Sequence, residues 1–561
     1  MGKMDHQRVL VVGLDGATLD LIRPWARQRL LPTFSLLLDG GTCGPLRSTI
    51  QPASPPAWVT FRTGVNPGKH SVFDFQVFRI DRPFTPSPFQ TVPYPAFWEL
   101  LTQRWDKQVC LLNVPFTFPA QPVRGKIVAG FPITGSREHL TYPPDLLREL
   151  ERYLGEYYVD VRTNLGSSPY VSHEQFIQEI MTIVTARARA ALYLLSRYPW
   201  DLGVVVFTMP DRVQNVYWQY ADPGDPRPSA AERRQFGEII LDVYRVIDRF
   251  LAQALELLGD SGLLLIMSDH GFGPMLKDVN LNRWLADEGF LVPDSAEAGV
   301  EQWMHRLKTL GKRILPRSFI QMVRGYRRMA RSKRSGLPLA DTMPVDWTKT
   351  KAFAMGKFGN ILINLKGREP YGIVAPGAEY EAVRSSIIER LAAWRNPITG
   401  RPMVKRAYRR EEVYYGPFVH QAPDILVEWE DYRYVGFRPA SPRDPLLLDP
   451  ARGSYEHLGW SGNHRPEGIL IAYGPDVQKG GEIKEASIQD LAPTILHYMA
   501  QTVPEYMDGQ VLLPLFTRQF VASHPVRIES ESVLQPHQDD TALTDEERWR
   551  LEEHLRSLGY L

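Results

Sequence analysis

The chain has 561 residues and a formal net charge of +1, from 65 Lys and Arg against 64 Asp and Glu. This balance argues against a broad basic surface for a nucleic-acid polymer or an anionic membrane. The apolar share of 43% is typical of a globular protein, and the two cysteines, Cys43 and Cys110, are too few for a disulfide framework or a thiolate cluster, so any bound metal needs His and carboxylate ligands.

Apolar runs in the sequence are short. None reaches the roughly 18 residues that a membrane-spanning helix needs. The run from Val9 to Leu14 is also too brief for the apolar region of a signal peptide. We therefore expect no transmembrane segment and a cytoplasmic protein.

Three apolar runs rich in β-branched residues predict buried parallel strands: Val9 to Leu14, Leu202 to Phe207 and Leu263 to Met267. Amphipathic helical patterns separate them. Strands that alternate with helices predict an α/β fold with a mostly parallel central sheet flanked by helices. Further strand candidates are Val109 to Asn113, Ile361 to Leu365, Ile425 to Glu428 and Gly468 to Tyr473.

The helix predictions depend on caps and on apolar periodicity. Ser172 and Gln175 have the spacing of a capping box, which predicts a helix that runs to about Ser196. A second helix is predicted from apolar residues at helical spacing, namely Phe236, Ile239, Ile240, Val243, Ile247, Phe250 and Leu251.

The C-terminal residues predict a further helix. Thr544 and Glu547 form a capping-box pattern ahead of a stripe of Leu551, Leu555 and Leu558. Because this stripe is apolar, we expect the helix to dock on the body of the protein or on a second subunit.

The predicted domain organisation is a catalytic domain over residues 1–515, with an inserted basic helical cap over residues 284–345, and a C-terminal tail over residues 516–561. Between Gln302 and Ala340 the sequence has no acidic residue but many Lys and Arg. A solvated pair of basic helices and a cap that attracts an anionic substrate or a lipid surface both agree with this composition.

An aspartate follows each of the three predicted strands: Asp15, Asp211 and Asp269. Ligands of open α/β sheets bind beyond the carboxyl ends of the strands. One aspartate there is commonly a turn or cap residue, but three converging carboxylates repel one another unless protons or cations neutralise them. With His270 directly after Asp269, the sequence predicts a metal site for one or two ions.

Ser54 precedes Pro55 and Pro56 in a segment that reads as a helix ending before Gly64. Ser54 has the place of an N-cap and Pro55 that of the first helical residue. The amides and the dipole of a helix N-terminus also favour an anion. Ser54 is therefore either a structural cap or a nucleophile toward phosphorus, if a metal lowers its pKa.

A glycine-rich segment ahead of Gly468 contains His464. Small neighbours allow such a histidine to reach a site, although a lone histidine in a loop is more often simply exposed. His457 competes for the same role.

Taken in order, these motifs resemble the alkaline phosphatase superfamily, and most closely its type I phosphodiesterase/nucleotide pyrophosphatase branch. They are an Asp after the first strand, a Ser in a Pro-flanked loop that opens a helix ending in Thr-Gly, a further Asp, an Asp-His-Gly and a late Gly-x-His. The resemblance implies two divalent metal ions, usually zinc. It implies that one ion is held by Asp15, Asp269, His270 and the nucleophile Ser54, and the other with the help of Asp211 and His464.

Asn215 departs from the family pattern, which has a histidine four residues after the Asp that corresponds to Asp211. An amide oxygen suits Mg²⁺, Ca²⁺ or Mn²⁺ better than zinc. The alternatives that follow are a weakly held second ion, a second ion of different identity, and reduced or lost activity. The asparagine that holds a phosphate oxygen in nucleotide pyrophosphatases is also not evident, since Phe75 falls near its place.

The residues and the resemblance predict a metal-dependent hydrolase of phosphoric esters that cleaves phosphodiester or pyrophosphate bonds through a phosphoserine at Ser54. The alternatives are a phosphomonoesterase, a sulfatase or a phospho-group transferase of the same superfamily, or a catalytically weak anion-binding protein because of Asn215. The expected cofactors are two divalent ions, zinc first, with Mn or Mg as alternatives beside Asn215. The expected partner is a small-molecule phosphate ester rather than a nucleic-acid polymer, and a homodimer is a further expectation.

Overall fold

The structure is a computed structural model that describes residues 8–82, 84–89, 91–161, 172–294, 343–436, 441–450, 458–530 and 543–558. Its strands, in chain order, are β1 (Val9–Leu14), β2 (Thr42–Arg47), β3 (Val109–Val114), β4 (Gly125–Ala129), β5 (Thr141–Tyr142), β6 (Leu202–Phe207), β7 (Leu263–Met267), β8 (Gly271–Pro274), β9 (Lys277–Val279), β10 (Ala352–Ala354), β11 (Asn360–Ile363), β12 (Val404–Arg409), β13 (Ile425–Trp429), β14 (Tyr434–Val435), β15 (Leu447–Leu448), β16 (Gly462–Arg465), β17 (Glu467–Tyr473), β18 (Gly481–Glu482), β19 (Val503–Pro504) and β20 (Ile528–Glu529).

The α-helices of the described residues lie between and around these strands. They are α1 (Leu19–Arg27), α2 (Pro32–Gly40), α3 (Ser54–Thr63), α4 (Pro67–His70), α5 (Phe97–Arg104), α6 (Leu146–Leu154), α7 (His173–Arg197), α8 (Met209–Ala221), α9 (Ala230–Phe236), α10 (Ile239–Leu258), α11 (Leu281–Asp287), α12 (Ala378–Ala393), α13 (Leu491–Tyr498), α14 (Arg518–Ser523) and α15 (Asp545–Ser557).

The predicted α/β fold is confirmed. Among the described residues the largest sheet has nine strands in the order β18-β2-β17-β7-β1-β6-β3-β4-β5. The five strands from β7 to β4 run parallel, whereas β17 is antiparallel to both of its neighbours and β5 is antiparallel to β4. The central strands β1, β6 and β7 have the predicted bounds and are buried throughout, as expected of continuous apolar runs in a parallel sheet.

The predicted helices are present with small differences at their ends. Helix α7 begins after Ser172, whose side chain accepts a hydrogen bond from the Gln175 amide, and ends at Arg197. The second predicted helix is divided in two, because Phe236 is the last residue of α9 and α10 begins at Ile239. Helix α10 packs against α7 and α8 on the sheet.

A second, antiparallel sheet is inserted into the chain between β8 and β16. It has the strand order β10-β11-β13-β12, and α12 packs on it. The strand candidates near Ile361 and Ile425 belong to this sheet rather than to the central one. The insertion begins and ends at one place, because β8 and β16 pair with each other. The predicted basic cap falls largely on residues 295–342, which lie outside the described residues, so the cap stays a prediction.

Helix α15 docks on the body of its own chain. Leu551, Leu555 and Leu558 are 0–2% exposed, and the ring of His554 lies 5.2 Å from that of Phe131. The capping box of Thr544 with Glu547 is present as predicted. Of the two predicted partners for this helix, the body is therefore the one that the structure provides.

Among the described residues, no helix combines the length and the apolar character that a membrane span needs.

Candidate metal centre and nucleophile

Three buried aspartates lie where neighbouring parallel strands end. Strands β7, β1 and β6 are adjacent. Asp269 and Asp15 follow the first two of these strands within two residues, and Asp211 lies in the first turn of α8 after β6. None of the three is more than 3% exposed. The carboxylates therefore meet at one edge of the sheet, as predicted.

His270 joins Asp15 and Asp269 in a first group. Its Nε2 lies 3.5 Å from Asp15 Oδ1 and 3.3 Å from Asp269 Oδ2. The amide of Gly16 donates to Asp269 Oδ1 at 3.2 Å. Gly16 has a φ of +69°, and a Cβ atom there would lie 2.8 Å from the ring of Phe272. The turn that holds this carboxylate therefore requires glycine.

His464 joins Asp211 in a second group. Its Nε2 lies 3.1 Å from Asp211 Oδ1, and its ring stacks on that of His270 with 3.6 Å between the centroids. Strand β16 positions it, because the pairing with β8 places His464 opposite Phe272. Each group has three ligand atoms close enough together to hold an ion, and His270 belongs to both. His457, the competing candidate, lies outside the described residues.

Both histidines direct Nε2 toward the carboxylates. His270 Nδ1 lies 3.0 Å from the carbonyl oxygen of Gly271, and His464 Nδ1 lies 2.8 Å from that of Pro52. Because a carbonyl oxygen only accepts hydrogen bonds, Nδ1 carries the proton in each ring and Nε2 keeps its lone pair. This is the tautomer that a metal-binding histidine needs, with its second nitrogen held by the protein.

Asn215 lies one helical turn after Asp211 on α8 and borders the second group. Its Nδ2 donates to Asp211 Oδ2 at 3.0 Å. Its Oδ1 is buried and has no hydrogen-bond partner among the described residues. The position that the family pattern gives to a histidine is therefore occupied by a buried amide in contact with the site.

Ser54 is the first residue of α3, and Ala53 is its N-cap. The prediction of Ser54 as the N-cap is therefore wrong by one position. An N-cap side chain accepts a hydrogen bond from the backbone amide of the second or third helical residue. If Ser54 were the N-cap, the second helical residue would be Pro56, which has no N–H. The Ser54 hydroxyl instead lies 3.3 Å from His270 Nε2, in contact with the first group.

The prolines also change what the start of α3 offers to an anion. Pro55 and Pro56 have no N–H groups, and the Ala57 amide donates to the Ala53 carbonyl at 3.2 Å. The expectation of a cradle of helix amides is therefore wrong. Of the first four residues of α3, Ser54 alone has an amide left for an anion.

The first group has raised carboxyl pKa values. Burial, followed by the charges of Asp269 and Asp211, raises the pKa of Asp15 well above its ordinary value. Burial raises the pKa of Asp269 to about 7, although the charge of His464 opposes this change. Two negative charges in this group are therefore costly unless a cation joins them.

The second group has a different charge state. Burial acts to raise the pKa of Asp211, but the contact with His464 and the charge of Arg212 hold it below its ordinary value. Burial lowers the pKa of His464 and of His270 to about 4. At neutral pH both rings are neutral, as imidazole ligands of a metal must be.

These residues fit divalent cations. At the site, the buried oxygen atoms Asp15 Oδ1, Asp269 Oδ2 and Asn215 Oδ1 have no hydrogen-bond partner among the described residues. Native structures seldom leave such atoms unsatisfied. Carboxylate oxygen together with imidazole nitrogen suits zinc, and additional oxygen suits Mn²⁺ or Mg²⁺. The donor set therefore agrees with the metal ions that the sequence motifs imply.

Arg212 and Asp160 support the second group and were not predicted. Arg212 Nη1 donates to Asp211 Oδ2 at 2.6 Å, while Nε and Nη2 donate to the two carboxylate oxygens of Asp160 at 3.1 and 2.6 Å. The two contacts with Asp160 orient the guanidinium group that donates to Asp211. The sequence offers no signal for it, because Asp160 lies 52 residues away from Arg212.

The loop between β10 and β11 also contributes residues that sequence reasoning missed. The ring of Phe358 lies 5.4 Å from that of His464, and Lys357 is 4% exposed. Phe75, in contrast, packs against Phe116 and Phe131 with 5.8 and 6.2 Å between ring centroids. Phe75, which the sequence resemblance places near the phosphate-binding asparagine of nucleotide pyrophosphatases, is therefore an aromatic side chain of the core.

The chain was compared with solved structures, with curated proteins and with family models. Human ectonucleotide pyrophosphatase/phosphodiesterase 5 is 14% identical, with a TM-score of 0.43, over 92% of this chain and 99% of that one. Phosphonoacetate hydrolase from Sinorhizobium meliloti 1021, in complex with phosphonoformate, is 15% identical, with a TM-score of 0.48, over 88% of this chain and 95% of that one. A comparison with curated proteins gave no match.

A family model decides the classification. The model of type I phosphodiesterase/nucleotide pyrophosphatase matches residues 9–462. This range includes Ser54, His270 and all three aspartates of the site, and it ends in β16, just before His464. The chain therefore belongs to the type I phosphodiesterase/nucleotide pyrophosphatase family.

Proposed function

We propose that the protein is a metal-dependent hydrolase that cleaves phosphodiester or pyrophosphate bonds through a phosphoserine at Ser54. Family membership supports the reaction class. The observation that carries the proposal is the position of the Ser54 hydroxyl, 3.3 Å from His270 Nε2 and at the border of a buried cluster of carboxylates and imidazoles. A serine with only a structural role does not require carboxylates and imidazoles beside its hydroxyl group.

The ligand assignment follows the two groups. Asp15, Asp269, His270 and the Ser54 hydroxyl would hold one divalent ion. Asp211, His464 and the amide oxygen of Asn215 would hold the other, with His270 within reach of both. Bound divalent ions lower the pKa of a hydroxyl group and offset the charge of a phosphoryl group. We assign zinc to the first site and leave Mn²⁺ or Mg²⁺ as the alternatives at the site that contains Asn215.

The chain's own residues then perform two displacements. The Ser54 hydroxyl gives up its proton to water, its Oγ bonds to phosphorus, and the bond from phosphorus to the leaving oxygen breaks. Water next attacks the phosphoserine, which releases phosphate or a phosphate ester and restores the hydroxyl group. Because each step inverts the phosphorus centre, the proposal requires net retention of configuration.

Substitution of Ser54 tests the nucleophile. We expect Ser54→Ala to lower the turnover of bis-p-nitrophenyl phosphate by about 10³-fold or more, while bound metal, measured by elemental analysis, falls less. Ser196→Ala, at an exposed position near the end of α7, is the matched control and should retain activity. Inversion at a chiral thiophosphate substrate would contradict the covalent route.

Asn215 supports a second candidate function, that of an anion-binding protein with weak catalysis. Its amide oxygen is a poorer zinc ligand than an imidazole. We expect Asn215→His to raise the zinc content toward two equivalents and to increase turnover with zinc about tenfold. If the unchanged protein binds phosphate but shows no turnover with Zn, Mn or Mg, and Asn215→His restores turnover, the binding function replaces the hydrolase.

A further inference from the structure

Two donors hold one oxygen of Asp211, the carboxylate of the second group. Its Oδ2 accepts hydrogen bonds from Arg212 Nη1 at 2.6 Å and from Asn215 Nδ2 at 3.0 Å. Its Oδ1 lies 3.1 Å from His464 Nε2. The carboxylate is therefore turned so that Oδ2 faces the supporting residues and Oδ1 faces the imidazole. A divalent ion in the second group would meet Asp211 through Oδ1.

Asp160 directs the guanidinium group of Arg212. Its two carboxylate oxygens accept from Arg212 Nε at 3.1 Å and from Nη2 at 2.6 Å, and its Oδ1 also accepts from the Val161 amide at 2.8 Å. A planar guanidinium held at two of its nitrogens keeps the direction of the third. The side chains of Asp160, Arg212 and Asp211 are at most 4% exposed. Water therefore competes little for these charge-assisted hydrogen bonds.

The C-terminal helix α15 covers this ion pair through Phe131. The guanidinium carbon of Arg212 lies 5.4 Å from the centre of the Phe131 ring. The ring of His554, on α15, lies 5.2 Å from that of Phe131. Phe131 is thus placed between the guanidinium group and the helix, where it helps to keep the cation away from water. Helix α15 therefore lies directly behind the residues that support Asp211.

We propose that Asp160 is a positioning residue for the second ion, because through Arg212 it turns Asp211 Oδ1 toward that ion. Helix α15 maintains this arrangement by covering Phe131. The affinity for the second ion then depends on a helix close to the C-terminus. This inference rests on the two-ion site of the proposed function and adds the residues that set the affinity for one of the ions. Its physical basis is that the outer partners of a metal ligand hold the ligand in its binding orientation.

Titration with Mn²⁺, followed by calorimetry, tests the role of Asp160 without turnover. We expect Asp160→Asn to raise the Kd of the second ion about 10- to 100-fold and to leave the Kd of the first ion unchanged. Asp225→Asn is the matched control, because Asp225 also pairs with Nε and Nη2 of an arginine, Arg227. It should leave the binding of both ions unchanged. Equal Kd values for the second ion in Asp160→Asn and in the unchanged protein overturn the proposal.

Substitutions of Arg212 separate orientation from charge. Arg212→Gln removes a positive charge, which by itself favours a cation, whereas Asp160→Asn removes a negative charge, which disfavours one. Because both variants release Asp211, we expect both to weaken the second ion. Arg212→Lys keeps the charge without the planar fork and should also weaken it. A tighter second ion in Arg212→Gln, or full affinity in Arg212→Lys, would show that charge alone governs the site and overturns the proposal.

The contribution of α15 is tested with His554→Ala, which removes the ring that covers Phe131. We expect the Kd of the second ion to rise about 2- to 30-fold. Trp549→Ala, on the same helix with a side chain 42% exposed, is the matched control and should leave this Kd unchanged. An unchanged Kd in His554→Ala overturns the role of α15.

The proposed hydrolase and this inference fail separately. If the protein cleaves no phosphate ester with any metal, yet Asp160→Asn weakens the second ion, the hydrolase fails while the positioning role of Asp160 holds. If the protein binds one ion alone and still cleaves phosphate esters, the positioning role is overturned while the hydrolase holds.

Discussion

At the scale of single residues, His270 connects the two halves of the candidate centre. Its Nε2 lies near Asp15 and Asp269, and its ring stacks on that of His464, so one imidazole is within reach of both ligand groups. Its Nδ1 is held by the Gly271 carbonyl. The loss of this side chain therefore removes more than one ligand interaction.

The two histidines should differ in their effect on bound metal. We expect His270→Ala to reduce the metal content at both sites, because its Nε2 belongs to both groups. His464→Ala should leave the first group intact and reduce the content by about one equivalent. Elemental analysis after dialysis measures the difference, and equal losses in the two variants would show that the ring of His270 serves one group alone.

Asp269 should destabilise the metal-free protein. Its folded pKa of about 7 lies above the ordinary value of 3.8 because of burial, so this group binds a proton more tightly in the folded state. Its contribution to stability is therefore present at acidic pH and is lost as the pH rises from about 4 through 7. We expect Asp269→Asn to stabilise the metal-free protein by about 2–4 kcal/mol at pH 8, and to abolish the gain in Tm on addition of zinc.

The pH dependence provides the control for this prediction. At pH 4 the carboxyl group of Asp269 is protonated in the folded protein and half-protonated in the unfolded one, so Asp269→Asn and the unchanged protein should then have similar Tm values in the absence of metal. A destabilised Asp269→Asn at pH 8 would mean that the hydrogen bond from Gly16, rather than buried charge, governs this position.

At the scale of elements, continuous apolar runs were the most informative signal. Strands β1, β6 and β7 have the predicted bounds. Parallel strands that are buried on both faces are continuous apolar runs, so the first and last residues of each strand are clear in the sequence. The positions of Asp15, Asp211 and Asp269 followed from these strands. The predicted start of α3 is wrong by one residue, although the absence of N–H groups in Pro55 and Pro56 is visible in the sequence.

Helix α15 provides a test at this scale. Leu555 is fully buried, so Leu555→Ala should lower the free energy of unfolding by about 2–4 kcal/mol. Leu36→Ala, with a side chain 52% exposed, should change it by less than about 0.5 kcal/mol. Chemical denaturation measures both. Equal effects would indicate that α15 docks only loosely in solution.

At the scale of the whole molecule, the contacts that complete the site join distant parts of the chain. Lys357 and Asp74 are 283 residues apart, and His464 meets Pro52 across 412 residues. Local patterns carry no information on such pairs, so Lys357, Phe358 and Asp160 could not be predicted, whereas residues at strand ends could. The homodimer and the cytoplasmic location stay predictions.

The near-zero net charge of the chain is the sum of regions of opposite charge. The strand ends gather buried carboxylates, while the sequence between Gln302 and Ala340 has basic residues without acidic ones. Net charge therefore argues against a polyanion that coats the whole surface, but not against a small phosphate ester bound at one edge of the sheet.

The pairing of β8 with β16 separates the residues of the metal centre from the inserted residues that border it. The chain leaves the catalytic body after Pro274 and returns opposite it at Gly462, so everything between is a loop closed at its base. Insertions of this kind tolerate replacement because their ends are already joined. The carboxylates and Ser54 lie outside this loop, and Phe358, which contacts His464, lies inside it. A relative could therefore exchange the loop, and with it the residues that border the site, while its metal centre and nucleophile stay unchanged.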